Sequence, residues 1–429
     1  MSRVRHGLRI LINNGALIET GGTEIFTRDL ALRLLARGHH PVVHCVRRGP
    51  VADAIERASV PVVDDLAAIG PSPDLIHGQS HAETAAALLR FPTVPALFVC
   101  HGWADVAPRS ARILRTVAVD VTVRDSLLLR QGFGEVDVSV ILNGVDLDRF
   151  LPRPPLPARP ARAAVFSNYA THQTVATIRE TCVARGIAVD VLGRGAGAVD
   201  VPDPENRLRD YDVVFAKGRC ALEALAVGCA VIACDYGRLG GLVTTGNWRG
   251  LRDWNFGLRA LSRPLHSAAL AAELDRYDPA DAAAVAAALR PVADLDKSID
   301  LYESLYAEML AVPAPADDPI RDRAEAAAFV EWLNRRQGAR LVELDRWTIK
   351  LEGIVAAYLD RIRELESQGE SAAAHIRFVE SALAESRRLM AAAESELEGL
   401  RGPSGRPPSP SLVKLIGRRV RRFLPRRAA

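Results

Sequence analysis

Residues 217–235 read KGRCALEALAVGCAVIACD, a basic loop followed by a short helix and then a strand. A strand-like apolar run at residues 213–215 precedes the loop. Strand, loop, helix and strand in this order predict two parallel strands joined by a crossover helix. Ligands of such sheets bind beyond the carboxyl ends of the strands, which is where this basic loop would lie.

The composition of this loop and helix suits a nucleotide. The N-terminus of the helix offers unpaired N–H groups and a positive dipole, and Lys217 and Arg219 add formal charge for a diphosphate. Glu223, one turn into the helix, is an acceptor for the hydroxyl groups of a ribose. An ordinary helix that carries a solvated glutamate is the alternative that these residues alone leave open.

Alternating strand and helix signals continue on both sides of this segment, as short apolar runs and longer amphipathic ones. In the N-terminal part, the predicted strands are residues 8–12, 42–46, 60–63, 75–77 and 96–100, and the predicted helices are 25–36, with Thr23 as N-cap, and 82–89. In the following part, the predicted strands are residues 163–166, 188–192, 213–215 and 230–234, and the predicted helices are 174–185, 220–226 and 281–310.

Five prolines at residues 151–162 interrupt this alternation and indicate a stiff, extended linker. The chain has 429 residues, enough for a domain on either side of that linker and for C-terminal extensions. The sequence therefore predicts an α/β protein with two Rossmann-like domains, residues 1–150 and 163–312.

The C-terminal residues carry two further patterns. Within a helical region at 318–400, apolar side chains recur from residue 341 to residue 400 with one 3-4 spacing, which predicts a coiled coil. A single amphipathic helix packed on the body is the alternative. After a linker at 401–410, residues 411–429 hold seven basic residues and no acidic ones. As a helix this tail suits an anionic membrane surface, and a disordered or protein-binding end is the alternative.

Composition and charge argue against several classes of protein. The net charge is +3, and without its basic tail the chain would carry −4, which does not indicate a nucleic-acid partner. No apolar run reaches the ~20 residues of a membrane helix. The six cysteines form no CxxC pair, so free thiols in a reducing cytoplasm are expected. His77, His81 and His101 straddle a strand end and Asp64-Asp65 fits a solvated turn, so no metal site is predicted.

Four segments in a fixed order point to a known family: GGTE at 21–24, PDLIHGQSH at 73–81, NGVD at 143–146 and GRCALE at 218–223. Over about residues 8–310 the chain resembles the GT-B glycosyltransferases, in particular the large retaining family 4 with GG-x-E, NGVD and E-x7-E motifs. The resemblance implies a nucleotide-sugar donor bound mainly by the second domain and an acceptor held mainly by the first. It also implies that neither a metal nor a cofactor is needed.

The resemblance implies roles for individual residues. Glu223 matches the second glutamate of E-x7-E, which binds the ribose of the donor. His101 matches a histidine that contacts the transferred sugar. Other matched positions are expected to lie at the donor or in the cleft beside it, and these are Gly21, Gly22, Asn143, Gly144, Gly218, Gly240 and Gly241.

The chain departs from the family pattern at the diphosphate. Phe215 stands where the first glutamate of E-x7-E is expected, which leaves a retaining or an inverting reaction open. The loop FSNYATHQ at 166–173 lacks the usual Arg and Lys, and its His172 is a weak substitute. Because some cation must stabilise the departing diphosphate, Lys217 and Arg219 are predicted to do so. Glu24 and Glu83 are candidate bases if the reaction inverts, although both also fit ordinary helix positions.

The expected protein is a cytoplasmic glycosyltransferase that moves a sugar from a nucleotide-diphosphate donor to a glycan or lipid-linked acceptor. A role in cell-surface polysaccharide synthesis fits a tail on the inner face of the membrane and self-association through residues 341–400. The alternative is an inactive GT-B-like scaffold that acts through its coiled coil, which the missing glutamate and the missing Arg and Lys favour.

Overall fold

The computed structural model describes residues 7–198, 201, 203–313, 318–367, 379–385 and 388. The chain divides into two units, Met1–Phe329 and Val330–Ala429. The first unit contains two β-sheets, each built mainly from the apolar runs that the sequence predicts to be strands. The expected two-domain α/β architecture is therefore confirmed.

The first sheet has seven parallel strands in the order β3-β2-β1-β4-β5-β6-β7. Its strands are β1 (Arg9–Leu17), β2 (His40–Arg48), β3 (Val62–Val63), β4 (Leu75–Gly78), β5 (Ala96–Cys100), β6 (Ile113–Ala118) and β7 (Val138–Val140). Its helices are α1 (Gly22–Ala36), α2 (Pro50–Arg57), α3 (His81–Arg90) and α4 (Val121–Leu129).

The second sheet has six strands in the order β13-β12-β11-β10-β8-β9, parallel from β11 to β9 and antiparallel at β12 and β13. Its strands are β8 (Arg162–Phe166), β9 (Ala188–Leu192), β10 (Val213–Ala216), β11 (Ala230–Asp235), β12 (Arg238–Leu242) and β13 (Arg263–Pro264). Its helices are α5 (His172–Val183), α6 (Pro204–Leu208), α7 (Gly218–Val227), α8 (Trp248–Asp253), α9 (Ser267–Leu274), α10 (Pro279–Leu289) and α11 (Leu295–Ala311).

Three sequence predictions about local structure were wrong. The N-cap of α1 is Gly21, because the Thr23 hydroxyl donates to the Glu24 carboxylate instead of accepting from the helix. The single helix expected at 281–310 is two helices, since Pro291 lies in the short 3₁₀ segment that separates them. No strand was predicted between residue 234 and residue 281, but the structure has β12 at Arg238–Leu242.

Helix α11 packs against the first domain. Ile299, Tyr302 and Tyr306 are buried in the core of the first domain, and Arg37, at the end of α1, pairs with three carboxylates of α11. One of those carboxylates, Glu303, also contacts His39 at 3.0 Å. Helix α11, which follows the second domain in the chain, therefore packs on the first domain and connects the two domains of the first unit.

A helix of 49 residues, α12 (Pro319–Ser367), follows. Its first turns lie in the first unit, where Asp322 and Glu325 are 3.6 and 3.9 Å from the buried guanidinium of Arg112. The coiled coil predicted for residues 341–400 lies partly outside the described residues, and the tail at 411–429 lies wholly outside them. Among the residues that the structure describes, no helix is long and apolar enough to cross a membrane.

Candidate functional site

A cleft with a cavity volume of about 450 Å³ separates the two domains. Its lining residues follow strands of both sheets. Gly21 comes after β1 and His101 after β5, whereas Asn168, Arg194 and Lys217 come after β8, β9 and β10. The cleft therefore lies at the carboxyl ends of both sets of parallel strands, where open α/β sheets bind their ligands.

Most of the residues singled out from the sequence converge on this cleft. Three of them lie elsewhere. Gly144 packs on the backbone of Leu295, so closely that an added Cβ would lie 2.5 Å from the Leu295 Cα. Gly240 and Gly241 belong to β12 and lie beside Ala260 and Glu273 rather than in the cleft. Those that line it are Gly21, Gly22, Glu24, His101, Asn143, Lys217, Gly218, Arg219 and Glu223.

Arg219 is held in a buried group of charges. Its Nε donates to Glu223 at 2.7 Å, one helical turn away, and its Nη2 donates to Asp29 of α1 in the first domain. Asp29 also pairs with Arg28 at 2.7 Å, and Arg149 lies 3.8 Å from it. The Arg219 guanidinium therefore joins the two domains through carboxylates. Its position in the sequence suggested a free phosphate ligand, but in the structure both carboxylates already pair with it.

The pKa values in this group follow from burial and charge. Burial raises the pKa of Glu223, and the nearby Arg219 guanidinium acts against that rise. Burial also acts to raise the pKa of Asp29, but the positive charges of Arg219, Arg28 and Arg149 outweigh it and hold the value below its usual range. The cluster therefore shifts the pKa values of its two carboxylates in opposite directions, that of Glu223 upward and that of Asp29 downward.

Lys217 lies in an aromatic cage at the start of α7. Its Nζ is 4.5 Å from the ring centre of Tyr169 and 5.0 Å from that of Tyr236, and 3.5 Å from the fully buried Asp235 carboxylate. Ser167 donates to the same carboxylate at 2.8 Å. The two cation–π contacts and the Asp235 counter-ion hold the ammonium group beside the N-terminus of α7, where it lines the cleft and can bind an anion.

His101 is a neutral side chain in this cleft. Burial, with a smaller contribution from Arg219, lowers its pKa to about 3. Its Nε2 is 3.0 Å from the Oε1 of Gln79, and Phe26 contacts its ring edge. A neutral imidazole held by an amide can exchange hydrogen bonds with a sugar hydroxyl but carries no charge near pH 7.

The candidate bases and metal ligands lie apart. Glu24 lines the cleft, whereas Glu83 contacts Gly15 outside it. His77 Nδ1 lies 2.6 Å from the Tyr306 hydroxyl and His81 Nδ1 lies 2.9 Å from a backbone carbonyl oxygen. In the described part of the chain, no three His, Cys, Asp or Glu side chains converge in a way that would hold a metal ion.

Arg194 and Glu19 are among the residues of the cleft that were missed from the sequence. Arg194, in the loop after β9, forms an ion pair with Glu19, in the loop between β1 and α1. The pattern Gly-Arg-Gly directly after a strand was the available signal, because glycines on both sides let a backbone approach closely. The partner on the other domain could not be read from this pattern.

Comparisons with known proteins bear on the family. Residues 20–149 match the model of Glycosyltransferase Family 4. The chain is similar to the GT-B glycosyltransferases. The match to the family model begins after β1, covers the rest of the first domain and includes the GGTE and NGVD segments, and it supports the enzyme class that the sequence predicts. A comparison with curated protein sequences found no match.

A solved glycosyltransferase structure supports the fold. A glycosyltransferase from Rickettsia africae superposes with a TM-score of 0.53 at 16% identity, over 72% of this chain and all of the other. HepE from Anabaena, in complex with UDP and glucose, has a TM-score of 0.48 at 14% identity, over 70% of this chain and 99% of that one. The starch synthase IV catalytic domain from Arabidopsis thaliana, bound to ADP and acarbose, has a TM-score of 0.48 at 13% identity, over 71% of this chain and all of that one.

Proposed function

We propose that this protein transfers a sugar from a nucleotide-diphosphate donor to a glycan or lipid-linked acceptor. The observation that carries the proposal is the single cleft in which Gly21, Gly22 and His101 of the first domain face Lys217 and Glu223 of the second. Residues that lie 100 or more positions apart meet at strand ends, as a substrate site requires. The match of the first domain to a glycosyltransferase family gives the reaction class.

In this proposal the donor lies along α7. The diphosphate lies at the first turn of α7, where backbone N–H groups lack intrahelical partners, and Lys217 supplies a formal positive charge. The ribose hydroxyls lie at Glu223, whose carboxylate shares Arg219 with Asp29. The transferred sugar lies at His101, whose neutral ring exchanges hydrogen bonds with it. Arg219 thereby becomes a positioning residue for Glu223 instead of a phosphate ligand.

The proposed reaction uses no metal ion. The positive charge that stabilises the departing diphosphate comes from side chains and from the α7 dipole. Addition of EDTA is expected to leave the transfer rate unchanged. A rate that falls with EDTA and returns with Mg²⁺ or Mn²⁺ would contradict this part of the proposal.

Calorimetric titration with UDP, GDP, dTDP and ADP tests the donor site. One nucleotide is expected to bind, and Glu223→Gln should weaken it by about 1–3 kcal/mol, because a hydrogen bond to a charged group is lost while the side-chain volume is kept. Glu273→Gln in α9, which removes a similarly buried carboxylate that pairs with Arg263 at 2.7 Å and does not line the cleft, is the matched control. Incubation with the sugar conjugates of the nucleotide that binds should then release the free diphosphate.

A second candidate function is an inactive scaffold with a GT-B fold. One observation favours it: each of the five cationic side chains described in the cleft already contacts a carboxylate. The pairs are Arg28–Asp29, Arg149–Glu205, Arg194–Glu19, Lys217–Asp235 and Arg219–Glu223. If the folded protein binds none of the four nucleotides, the scaffold function replaces the transferase.

The cellular setting is also a proposal. We place the enzyme in the cytoplasm, at the inner face of the membrane, in the synthesis of a cell-surface polysaccharide. The seven basic residues and the interspersed apolar residues of the tail sequence at 411–429 support membrane attachment. The heptad pattern at residues 341–400 supports self-association.

A further inference from the structure

The loop after β9 is pressed against the loop after β8. These strands are neighbours in the sheet, so their carboxyl ends emerge side by side. The Asn168 Oδ1 accepts a hydrogen bond from the backbone N–H of Arg194 at 3.2 Å, and the backbone N–H of Gly195 donates one to the Ser167 carbonyl oxygen at 3.0 Å. An added Cβ on Gly195 would lie 2.5 Å from that oxygen, so the close approach depends on glycine. Arg194 is thus fixed beside the one loop in which the family pattern expects cations and this chain has none.

The Arg194 side chain reaches across the cleft to the first domain. It pairs with the Glu19 carboxylate, and Asn168 donates to the backbone oxygen of the next residue, Thr20, at 3.2 Å. The Nε of Arg194 is buried and has no hydrogen-bond partner among the described residues. A guanidinium has five N–H donors in a fork that matches phosphate oxygens, so Arg194 keeps capacity for a further anionic ligand.

The partner of Arg194 differs from those of the other cations in the cleft. The side chain of Glu19 is 53% exposed, whereas those of Asp29, Glu205, Glu223 and Asp235 are between 0% and 14% exposed. A buried carboxylate that loses its partner is costly, but an exposed one returns to water at little cost. Of these five pairs, Arg194–Glu19 is therefore the one that an incoming anion exchanges most readily.

Tyr169 links this pair to the donor site. Its ring contacts Lys217, and Asn168, the residue before it, accepts a hydrogen bond from the backbone N–H of Arg194. Lys217, Arg194 and Tyr169 all line the same cleft. Two cations in one cleft match the two charged groups of a diphosphate better than either cation alone.

We propose that Arg194 is a diphosphate ligand of the donor and that Glu19 occupies it until the donor enters. This inference rests on the proposed donor site. The charge that the loop after β8 lacks would be supplied from the neighbouring strand end. Glu19, from the opposite domain, would act as a competitor for the same guanidinium, so its removal should strengthen diphosphate binding.

The test compares diphosphate and monophosphate binding by calorimetry, with the nucleotide that binds the wild type. Arg194→Gln should weaken the diphosphate at least ten-fold and the monophosphate less than three-fold, because a charge-assisted contact to the second phosphate is lost. Glu19→Gln should strengthen the diphosphate about three- to ten-fold. Arg185→Gln, which breaks the exposed pair with Asp275 away from the cleft, should change neither. Arg194→Lys, which keeps the charge, should give an intermediate loss and serves if Arg194→Gln does not fold.

Three outcomes separate the explanations. If the wild type binds a diphosphate and Arg194→Gln binds it equally well, the inference is wrong and the proposed function stands. If Glu19→Gln weakens binding, Glu19 is not a competitor and this part of the inference is overturned. If the folded wild type binds neither inorganic pyrophosphate nor any nucleoside diphosphate, the proposed donor site and the inference fall together.

Discussion

Replacing Asp29 by asparagine tests the buried charges that join the two domains. The substitution keeps the size of the side chain and removes one negative charge from a group that contains Arg28, Arg149 and Arg219. The Asp29 side chain is only 3% exposed and that of Arg219 only 10%. Water therefore cannot replace the lost carboxylate, and the guanidinium of Arg219 is left with Glu223 alone.

The magnitude follows from burial and from the number of remaining partners. Removing one member of a buried ion pair typically costs about 3–5 kcal/mol. Because Arg219 keeps Glu223, we expect the lower end, about 3 kcal/mol, and a fall in melting temperature of roughly 5–10 °C. The folded pKa of Asp29 is lowered, so its contribution is complete above the unfolded value of ~3.9 and is lost as the pH falls through the folded value.

Urea unfolding of the wild type and of Asp29→Asn at pH 7 measures this loss; the difference should persist down to pH ~4 and shrink only below it, as the pH falls towards the folded pKa of Asp29. Asp275→Asn is the matched control, because its pair with Arg185 is exposed and should contribute no more than about 1 kcal/mol. Equal stabilities of Asp29→Asn and Asp275→Asn would refute the reasoning, since the cluster would then contribute no more than a surface pair.

Three further predictions concern stability and the membrane. Burial lowers the pKa of His77 to about 3, so below pH ~6.5 the unfolded chain binds a proton that the folded one does not. The free energy of unfolding should therefore fall by about 1.4 kcal/mol per pH unit between pH 6 and 4 on account of His77, and His77→Asn should flatten that slope in urea titrations. Gly144→Ala should cost about 1–3 kcal/mol, because its Cβ meets the backbone of Leu295, whereas Gly22→Ala, with open space around it, should stay within about 0.5 kcal/mol in the same assay. Deleting residues 411–429 should abolish co-sedimentation of the protein with anionic vesicles and leave its co-sedimentation with neutral vesicles unchanged. If co-sedimentation with anionic vesicles does not change, the tail is not the membrane anchor.

The order of strands and helices was largely predictable because apolar runs and helix periods are local. Residues 96–100 and 230–234, for example, are continuous apolar runs and are strands in the structure. Strand β6 was missed because its first half is only partly buried and includes the charged Arg115, which breaks the run. Helix α4 was missed as well, although Asp120 caps it through a bond to the Val123 N–H at 2.8 Å.

The predictions of site residues separate in the same way. His101 and Lys217 follow predicted strands closely, and Gly21 lies between the first predicted strand and the first predicted helix; all three line the one cleft. Gly240 and Gly241 were expected at the donor or in the cleft beside it, but they belong to β12 and do not line the cleft. The coiled coil at residues 341–400 remains a prediction from its spacing.

By itself, the sequence determined that two α/β domains exist, which strand ends carry polar side chains, and that the usual cations of the diphosphate loop are missing. Only the tertiary structure decided which charges neutralise each other. Arg219 was predicted to bind phosphate from its place at a helix start, yet it pairs with Asp29, 190 residues earlier in the chain. Charge pairing depends on distance and on exclusion of water, and both are set by the packing of segments that are remote in the sequence. Helix starts and strand ends are decided by neighbouring residues, and for that reason they could be read from the chain directly.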